Sequence, residues 1–470
     1  MSGVNVDEFG IVILAAGQGT RLKLPVPKPL APIAGRTLID FSIKAGLQFL
    51  KDTSRKGKIS LVLGHQKELL IDHVSKYWKS SEIETAVQVE QKGTADALRA
   101  YFNDNNHAKN RAYTIVLCAD TPLITASEIK SLVSILESEK LDAVAATFIE
   151  NQPRGYGRIE RGSTGFRIVE EKDATEVQKK ISEVNSGLYI LRTDFVMKYL
   201  FDLKSNNNSK EFYLTDLFQM DRKVKAITFE NKDSFVGVNT IEQLQYVNQE
   251  LRNKIVRKAI QKGVYILAPE QTWIDDTVEL EQGVKIYPGC ILEGNTKVES
   301  GTVLEAGVVL KNTQIAKNSK ILAYSYLESA VIGEEASVGP FARLREGSVI
   351  GRGSKIGNFV ETKKVNLGEE VKVSHLSYVG DAEIGDRTNI GCGFITCNYD
   401  GASKHITKIG SDSFIGSDSQ MIAPISIGNN CYVASGSTIN QDLEDGDFAI
   451  ARGKQVTKKG MAKRFIKSKK

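Results

Sequence analysis

Cysteine and histidine are both scarce in this sequence of 470 residues, which contains five of each. The number of cysteines is odd, no two of them form a CxxC pair, and no histidine stands at a spacing typical of zinc ligands. We therefore expect neither a disulfide framework nor a structural zinc site. The cysteines are Cys118, Cys290, Cys392, Cys397 and Cys431.

Long apolar runs are absent as well. No stretch of the sequence approaches the roughly 20 apolar residues that a bilayer-crossing helix requires. Near the N-terminus, Asp7 and Glu8 stand where a secretory signal would carry Lys or Arg. The short apolar run from Ile11 to Ala16 is better explained by a buried strand. We therefore expect a cytoplasmic protein that does not insert into a membrane.

Acidic residues are missing from the C-terminal segment 451–470, which holds nine Lys and Arg residues. The rest of the chain carries a net charge of −4, because the whole chain carries +5. A solvated basic tail is the favoured interpretation. The alternatives are binding to nucleic acid or an anionic surface, and a position near a polyanionic ligand held by a neighbouring subunit. We expect no nucleic-acid partner.

Residues 1–239 alternate compact apolar runs with helical segments, which predicts a doubly wound, mostly parallel α/β domain with ligands at the carboxyl ends of its strands. The predicted strands are Ile11–Leu14, Ile59–Leu63, Ile115–Cys118 and Ala143–Phe148, and the predicted helices include Leu38–Leu50 and Ser127–Glu137. Residues 240–262 lack Gly and Pro and carry apolar residues at helical spacing. They are predicted to form a helical linker.

Residues 263–450 show a six-residue repeat of aliphatic residues, often with glycine beside them. This period fits neither an α-helix nor a hairpin meander, but it fits a left-handed parallel β-helix in which three hexapeptides make one coil. The aliphatic residues are predicted to point inward and stack between coils. They are Val303, Val309, Ile315, Ile321 and Leu327, then Ile332, Val338, Leu344, Ile350 and Ile356, then Ile409, Ile415, Met421, Ile427, Val433 and Ile439. Breaks around 363–367 and 396–409 predict loops that leave the coil.

A glycine-rich turn, Ala15-Ala16-Gly17-Gln18-Gly19-Thr20-Arg21, follows the first predicted strand. Small residues allow the backbone to approach a ligand closely, and successive N–H groups can cradle phosphate oxygens. Arg21 and Lys28 are candidates to neutralise a triphosphate. The turn matches neither the Walker pattern nor the GxGxxG fingerprint, so by itself it leaves a purely structural turn open.

Together with Pro27-Lys28, the segment Leu14–Arg21 resembles the sugar-1-phosphate nucleotidyltransferase family, and later segments match in order. The resemblance implies that Arg21 and Lys28 are catalytic and that Mg²⁺ is held by Asp120 and Asn239. It implies a nucleotide and sugar site formed by Leu14, Ala15, Ala16, Gly17, Lys28, Gln88, Gly93, Thr94, Cys118, Ala119, Asp120, Gly157, Glu170, Asn185 and Asn239. Ala119 departs from the family pattern, which usually has Gly before the metal-binding Asp.

The second half contains Phe341–Arg345, Gly357–Lys364, His375–Gly385 and Ile395–Gly401. With the first half, these segments resemble the family of bifunctional uridylyltransferase/glucosamine-1-phosphate acetyltransferases over nearly the whole chain. The resemblance implies that His375 is the general base, a role that suits an imidazole. It implies that Arg345, Lys363, Tyr378 and Asn389 bind the amino sugar, and that Cys392, Asn398, Tyr399, Ser417, Ser435 and Arg452 line the acetyl-CoA groove.

Two of these positions, Cys392 and Ser435, often hold Ala in the family. A thiol nucleophile at Cys392 is a weaker alternative, since no activating partner stands near it in the sequence. The remaining histidines are interpreted as structural: His65, His73, His107 and His405.

The resemblance implies a route to UDP-N-acetylglucosamine, a precursor in peptidoglycan, lipopolysaccharide and cell-wall synthesis. Acetyl-CoA and UTP would be co-substrates, glucosamine-1-phosphate the acceptor, and the assembly a homotrimer formed through the β-helix. The alternative is a single-function sugar-nucleotide pyrophosphorylase whose β-helix is structural or regulatory. A non-catalytic regulatory subunit is a further alternative, but it predicts loss of the glycine-rich turn or of Asp120, and both are present.

Overall fold

The computed structural model describes residues 8–17, 19–105, 107–163, 165–219 and 222–466. Asp7, Gln18 of the glycine-rich turn and the last four residues of the basic tail lie outside this part of the chain. Residues 1–251 and 252–470 form two compact units, and this division falls inside a helix that covers most of the predicted 240–262 linker. No helix among the described residues is long and apolar enough to cross a bilayer.

The first unit contains one mixed sheet of nine strands and a separate antiparallel pair formed by the second and third strands of the chain. Its strands are β1 Glu8–Leu14, β2 Pro32–Ile33, β3 Arg36–Thr37, β4 Lys56–Leu63, β5 Ile83–Val87, β6 Tyr113–Cys118, β7 Ala143–Ile149, β8 Arg158–Arg161, β9 Phe166–Val169, β10 Glu183–Arg192 and β11 Val224–Phe229. The main sheet has the order β11-β7-β10-β6-β1-β4-β5. All neighbours pair in parallel except β10, which is antiparallel to both β6 and β7.

The α-helices among the described residues are α1 Leu38–Thr53, α2 Lys67–Tyr77, α3 Thr94–Asp104, α4 Ala126–Ser138, α5 Thr193–Tyr199 and α6 Ile241–Gln261. Two of them begin with a capping box, in which a Thr side chain and an acidic side chain three residues later satisfy each other's backbone N–H groups. These pairs are Thr37 with Asp40 and Thr125 with Glu128.

The sheet of the first unit is covered on both faces. Along β1, Ile11 and Ile13 belong to one buried cluster, whereas Val12 belongs to another. Successive strand residues point to opposite faces, so each cluster lies on its own side of the sheet. The predicted doubly wound, mostly parallel α/β fold is confirmed.

The second unit is a left-handed parallel β-helix. Its strands are β12 Tyr265–Ile266, β13 Trp273–Ile274, β14 Glu279–Leu280, β15 Lys285–Ile286, β16 Ile291–Glu293, β17 Lys297–Val298, β18 Val303–Leu304, β19 Val309–Lys311, β20 Gln314–Ile315, β21 Lys320–Ile321, β22 Tyr326–Glu328, β23 Val331–Ile332, β24 Ser337–Val338, β25 Arg343–Leu344, β26 Ser348–Ile350, β27 Lys355–Asn358, β28 Glu361–Leu367, β29 Lys372–His375, β30 Tyr378–Ile384, β31 Asn389–Ile390, β32 Ile395–Cys397, β33 Thr407–Ile409, β34 Phe414–Ile415, β35 Gln420–Ile422, β36 Ile425–Ile427, β37 Tyr432–Val433, β38 Thr438–Ile439 and β39 Phe448–Ala449.

Each short strand pairs in parallel with the strand one coil further on, so aliphatic side chains stack along the axis. One such column, on the sheet from β12 to β39, contains Ile321, Val338, Ile356, Val373, Ile390, Ile415 and Val433. All of these side chains are buried. The predicted β-helix is therefore confirmed.

Two details of the predicted repeat are wrong. Val303 and Val309 are only half-buried, and the neighbouring Leu304 and Leu310 fill the core instead. The reason is that the hexapeptide between Leu310 and Ile315 is one residue short, so a strict six-residue count slips by one position. The predicted loop at 363–367 is also absent, because β28 continues through Leu367 and pairs with β26 and β30.

The second predicted loop is present. Residues 398–406 leave the coil between β32 and β33, and an isolated antiparallel bridge joins Tyr399 to Lys404. The Asp400 carboxylate accepts hydrogen bonds from the backbone N–H groups of Ala402 and Ser403, which closes the turn at the tip. Asp400 also contacts the His405 ring, with 2.7 Å between Oδ2 and Nε2. These contacts fix the shape of the loop.

Candidate active sites

The first site lies at the carboxyl ends of β1, β5 and β6. Leu14 and Cys118, the last residues of β1 and β6, are paired in register. Beyond them the backbone N–H of Ala119 donates to the carbonyl of Leu14 at 3.1 Å. This edge of the sheet opens into a cavity of about 490 Å³, called here the strand-end cavity. It is lined by Leu14, Ala15, Ala16, Gly17, Gly19, Arg21, Lys28, Pro29, Gln88, Gln91, Gly93, Thr94, Ala97, Cys118, Ala119, Asp120, Glu211 and Asn239.

Lys28, Asp120 and Asn239 meet at one side of the strand-end cavity. The Lys28 ammonium group is ion-paired with Asp120 and donates to Oδ1 of Asn239 at 2.8 Å. Nη2 of Arg21 donates to the same Asn239 oxygen at 2.9 Å. The backbone N–H of Val238 donates to the carbonyl of Asp120 at 2.9 Å, which holds the Asn239 segment beside the end of β6.

One carboxylate oxygen and one amide oxygen therefore converge on the Lys28 ammonium group, and the amide oxygen also accepts from Arg21. This donor set fits Mg²⁺, which prefers hard oxygen ligands and is commonly held by only one or two protein oxygens. Among the described residues, no group of three or more His, Cys, Asp and Glu side chains is arranged to hold a metal ion. A metal at this site would rely on Asp120, Asn239 and the ligand's phosphates.

Two glycines of the cavity wall have backbone conformations that other residues rarely adopt. Gly19 has φ 61°, and a Cβ there would lie 2.4 Å from Cβ of Lys28. Gly93 has φ 110°, and a Cβ there would lie 2.5 Å from the carbonyl oxygen of Phe212. Because both positions have positive φ and no space, the close approach of these loops depends on glycine.

Gln88 is buried at the cavity wall, and its amide nitrogen already donates hydrogen bonds within the protein. Nε2 donates to the carbonyl of Gly93 at 3.0 Å and to Oδ2 of Asp96 at 2.9 Å. In a hydrogen bond with a ligand, Gln88 would therefore accept through its side-chain carbonyl oxygen. Such an acceptor suits an N–H donor, as on the edge of a pyrimidine ring.

Gly157, Glu170 and Asn185 form a group of their own and do not line the strand-end cavity. The backbone N–H of Asn185 donates to the carbonyl of Gly157 at 2.9 Å. A Cβ on Gly157 would lie 3.6 Å from Oε1 of Glu170. Cys118 links this group to the cavity, because its thiol lies against Gly187, whose N–H donates to Oδ1 of Asn185 at 3.2 Å.

Glu170 and Cys118 both have perturbed acidity. Burial raises the pKa of the Glu170 carboxyl, although a hydrogen bond from Thr215 at 2.9 Å opposes the shift. Nearby Asp216, Asp173 and Glu211 raise it further. Burial, with Asp120 nearby, raises the pKa of the Cys118 thiol to about 12. Cys118 is therefore a thiol at neutral pH and not a nucleophile.

The second site lies on the β-helix, where cationic side chains gather around β28. Nη1 of Arg345 contacts Oε1 of Glu361 at 3.0 Å. Lys404 lowers the pKa of the Lys363 ammonium, and Arg345 and Lys364 lower it further. Arg345, Lys363 and Lys404 are called here the cation cluster, and neighbouring like charges of this kind are typical of an anion-binding site.

Lys404 was not among the predicted site residues. It lies on the return side of the 398–406 loop, opposite Tyr399. The sequence contains a basic residue there, but no sequence pattern indicates that the loop folds back toward β28.

His375 is the last residue of β29 and its side chain is exposed. Its Nδ1 lies 3.0 Å from Oδ1 of Asn358, the last residue of β27 and its neighbour one coil earlier. Asn389 is on β31, the next strand of the same sheet, and Tyr378 begins β30, where it pairs with Glu361 of β28. The four predicted amino-sugar residues and His375 thus lie on consecutive coils.

The residues predicted to bind acetyl-CoA form a row along the axis. Asp418 N–H donates to the carbonyl of Cys392 at 2.7 Å, Gly436 N–H donates to that of Ser417 at 2.8 Å, and Arg452 Nη1 donates to that of Ser435 at 2.6 Å. Coils repeat at about 4.8 Å, so the row is roughly 14 Å long. Its four members are exposed: Cys392, Ser417, Ser435 and Arg452.

Asn398 and Tyr399 lie beside this row at the start of the 398–406 loop. The amide of Asn398 donates to Oδ2 of Asp381, and the hydroxyl of Tyr399 donates to the carbonyl of Gly401 at 2.6 Å. An exposed strip of this length, open to one side, suits an extended ligand.

The fold and the sites define a sugar-nucleotide type of nucleotidyltransferase joined to a hexapeptide-repeat transferase. The family described as nucleotidyl transferase matches residues 11–275. The family of bacterial transferase hexapeptide repeats matches residues 406–441, and the GMPPB C-terminal domain matches residues 274–360.

Full-length relatives carry the name "Bifunctional protein GlmU". The protein of Trichlorobacter lovleyi is 40% identical over 96% of this chain and 97% of its own length. The protein of Pelobacter propionicus is 38% identical over 98% of this chain and 100% of its own length. A solved uridine diphosphate N-acetylglucosamine pyrophosphorylase from Trypanosoma brucei is far less similar, at 14% identity and a TM-score of 0.42 over 55% of this chain and 68% of that chain.

The chain belongs to the GlmU family of bifunctional proteins. It is accordingly an enzyme with two activities, a uridylyltransferase in its first half and an acetyltransferase in its second. Because the relatives match along both halves, the two-activity interpretation is favoured over a single-function pyrophosphorylase with an inert β-helix.

Proposed function

We propose that the two sites act in sequence to make UDP-N-acetylglucosamine, with acetyl transfer at the β-helix first and uridylyl transfer at the strand-end cavity second. The observation that carries the proposal is the convergence of Lys28, Asp120 and Asn239 in a cavity of about 490 Å³ whose wall includes glycines. The cation cluster, which includes Lys363 on the coil before that of His375, supports the other half.

In the strand-end cavity, a phosphate oxygen of N-acetylglucosamine-1-phosphate attacks the α-phosphorus of UTP. The bond from that phosphorus to the bridging oxygen breaks, and pyrophosphate leaves. Mg²⁺, held by Asp120 and Asn239, supplies charge neutralisation on the phosphates when bound. Arg21 and Lys28 add positive charge, and the backbone N–H groups that follow Ala15 hold phosphate oxygens. No side-chain nucleophile is required.

The base and the sugar are positioned by separate groups. Gln88 accepts from the N–H edge of the pyrimidine. Gly93 and Thr94, which line the same cavity, contact the ring in this proposal. Gly157, Glu170 and Asn185 bind the N-acetylated sugar. Because its pKa is raised, Glu170 stays protonated to a higher pH than an ordinary glutamic acid does.

At the β-helix, the cation cluster holds the phosphate of glucosamine-1-phosphate, with Arg345 as one of its members. Tyr378 and Asn389 orient the sugar. His375 accepts a proton from the amine as its nitrogen attacks the thioester carbonyl of acetyl-CoA. A carbon–nitrogen bond forms, the carbon–sulfur bond breaks, and coenzyme A leaves as the thiol after protonation. The row from Cys392 to Arg452 and the pair Asn398 and Tyr399 bind the coenzyme.

The exposure of His375 and of the coenzyme row favours a site completed by another copy of the chain, and we propose a homotrimer formed through the β-helix. Acetyl-CoA and UTP are cytoplasmic metabolites, which supports a cytoplasmic location. The predicted divisions at 239, 262 and 450 remain part of the proposal, with the basic tail beside the polyanionic coenzyme.

The proposal is tested by following free thiol and pyrophosphate separately with purified full-length protein. His375→Ala is expected to lower thiol release by about 100-fold or more, as loss of a general base does, and to leave pyrophosphate release from N-acetylglucosamine-1-phosphate unchanged. Asp120→Ala is expected to do the reverse. His107→Ala and Asp72→Ala, which replace exposed residues outside both sites, are the matched controls. If thiol is never released by the parent protein, the acetyltransferase half of the proposal is wrong.

A further inference from the structure

Asn358 lies in the segment Gly357–Lys364, where the sequence assigned no role to this position, yet it contacts the proposed base directly. We infer that Asn358 is a positioning residue for His375: it holds the ring in the tautomer whose Nε2 can accept a proton. The inference deepens the proposed function and rests on the role of His375 in acetyl transfer.

The β-helix places the two residues together. Asn358 and His375 end β27 and β29, and they are directly paired across adjacent coils. The backbone N–H of Leu376 donates to the carbonyl of Asn358 at 3.0 Å, which ties the position after the histidine to the asparagine. The two side chains therefore emerge in the same direction from neighbouring strand ends.

Gly357 allows the two coils to approach closely at this point. A Cβ on Gly357 would lie only 1.8 Å from the carbonyl oxygen of Ser374. Any other residue would push apart the backbones immediately before Asn358 and His375. The distance between their side chains thus depends on a glycine that precedes the asparagine.

The hydrogen bond fixes the chemistry of the ring. Oδ1 of Asn358 faces Nδ1 of His375 at 3.0 Å, and because an amide oxygen only accepts, this contact is a hydrogen bond in the tautomer that carries the hydrogen on Nδ1. In the neutral imidazole one nitrogen is protonated and the other is not. Nε2 is then the basic nitrogen, and it lies on the side of the ring away from Asn358.

A neutral partner also suits the task better than a charged one. A carboxylate at position 358 would stabilise the protonated ring and keep the base occupied to a higher pH. The charged side chains on the paired strands β27 and β29 are Lys355 and Lys372, and β31, on the other side of β29, carries none. Strands β28 and β30, which follow β27 and β29 in the sequence, carry the charged residues Glu361, Lys363, Lys364, Asp381 and Glu383. All of them stay in place in the variants below.

The test measures thiol release against pH for full-length Asn358→Ala and Asn358→Asp. Asn358→Ala is expected to lower kcat by about 10-fold or more while KM for glucosamine-1-phosphate stays within about two-fold, because orientation of the base is lost but substrate contacts remain. Asn358→Asp is expected to move the acidic limb of the pH–rate profile upward by about 1 pH unit or more. Uridylyl transfer should be unchanged in both variants.

The matched controls are Asn366→Ala and Asn366→Asp, which change an exposed asparagine on β28 in the same ways. An unshifted profile for Asn358→Asp, or an equal shift for Asn366→Asp, would overturn the inference. So would an effect of Asn358→Ala on KM alone. His375→Ala is run beside them: if it releases thiol at the parent rate, the proposed function of His375 has failed, and if it is inactive, the Asn358 results bear on the positioning role alone.

Discussion

Lys28 and Asn239 are 211 residues apart in the sequence, and their side chains are joined by a hydrogen bond of 2.8 Å from Nζ to Oδ1. Lys28 reaches the site from the turn after β1, whereas Asn239 follows Val238, which is bonded to the backbone of Asp120. The positive charge of the cavity and its oxygen donors therefore come from three separate parts of the chain and meet at one point. That convergence underlies the first two predictions.

Lys28→Ala should lower uridylyl transfer by about 100-fold or more, the effect expected when a preorganised charged donor is removed from a phosphate-transfer site. Acetyl transfer should be unaffected, since Lys28 belongs to the first unit. Pyrophosphate and thiol release measured side by side check both statements. Lys79→Ala removes the charge of an exposed surface lysine of the same unit and serves as the control. An equal loss in that variant would contradict a local role for Lys28.

Removal of divalent metal should stop pyrophosphate release and leave thiol release intact. Asp120 and Asn239 supply an oxygen donor set suited to Mg²⁺, whereas the proposed acetyl transfer uses side chains and bound substrates without a metal. Dialysis against a chelator, followed by addition of Mg²⁺, tests this in one preparation. A requirement of both activities for the metal would contradict the proposed division of chemistry.

Lys404→Ala should raise KM for glucosamine-1-phosphate and also change its pH dependence. Lys404, then Arg345 and Lys364, lower the pKa of Lys363, so Lys363 loses its charge at a lower pH than an ordinary lysine. Phosphate binding by the parent protein is thus complete below the lowered pKa and weakens as pH rises through it. Without Lys404 this weakening should begin at higher pH.

The measurement is KM for glucosamine-1-phosphate between neutral pH and about pH 10, a range that reaches the ordinary pKa of lysine. Lys408→Ala, on the adjacent strand β33, is the matched control. An unchanged KM for Lys404→Ala across that range would show that Lys404 does not belong to the phosphate site.

Gly19→Ala should destabilise the first unit and Gly17→Ala should not. At Gly19, a new Cβ meets Lys28 at 2.4 Å and φ is 61°, whereas a Cβ on Gly17 meets nothing within 4 Å. The cost of the left-handed backbone alone is about 1–2 kcal/mol. Thermal unfolding of the two variants checks the difference, and equal melting temperatures would show that the turn relaxes without cost.

Much of the strand-end cavity is predictable because its residues follow buried strands. The apolar runs before Ala15 and before Ala119 mark strand ends, and parallel strands present those ends at one edge of the sheet. What could not be derived locally is which distant loop supplies the second oxygen, since the contact of Asn239 depends on the path of the chain after β11.

In the β-helix, the fold could be predicted from the sequence but the exact positions of individual residues could not. Its hexapeptide period identifies the fold, but a single short hexapeptide shifts the inward positions from Val303 and Val309 to Leu304 and Leu310. The pairing of Asn358 with His375 depends in the same way on the exact length of the coil between them. Lys404 was missed for another reason, because the return of the 398–406 loop is set by turn contacts of Asp400 rather than by a repeat.

The most direct test of the central claim, that two separable sites act in sequence, mixes two inactive variants. His375→Ala and Asp120→Ala are each supplied with glucosamine-1-phosphate, acetyl-CoA, UTP and Mg²⁺, and UDP-N-acetylglucosamine is measured by mass spectrometry. Each variant alone should make almost none, and the mixture should restore synthesis, because N-acetylglucosamine-1-phosphate made by one protein can be used by the other. Product from either variant alone, or none from the mixture, would contradict the account.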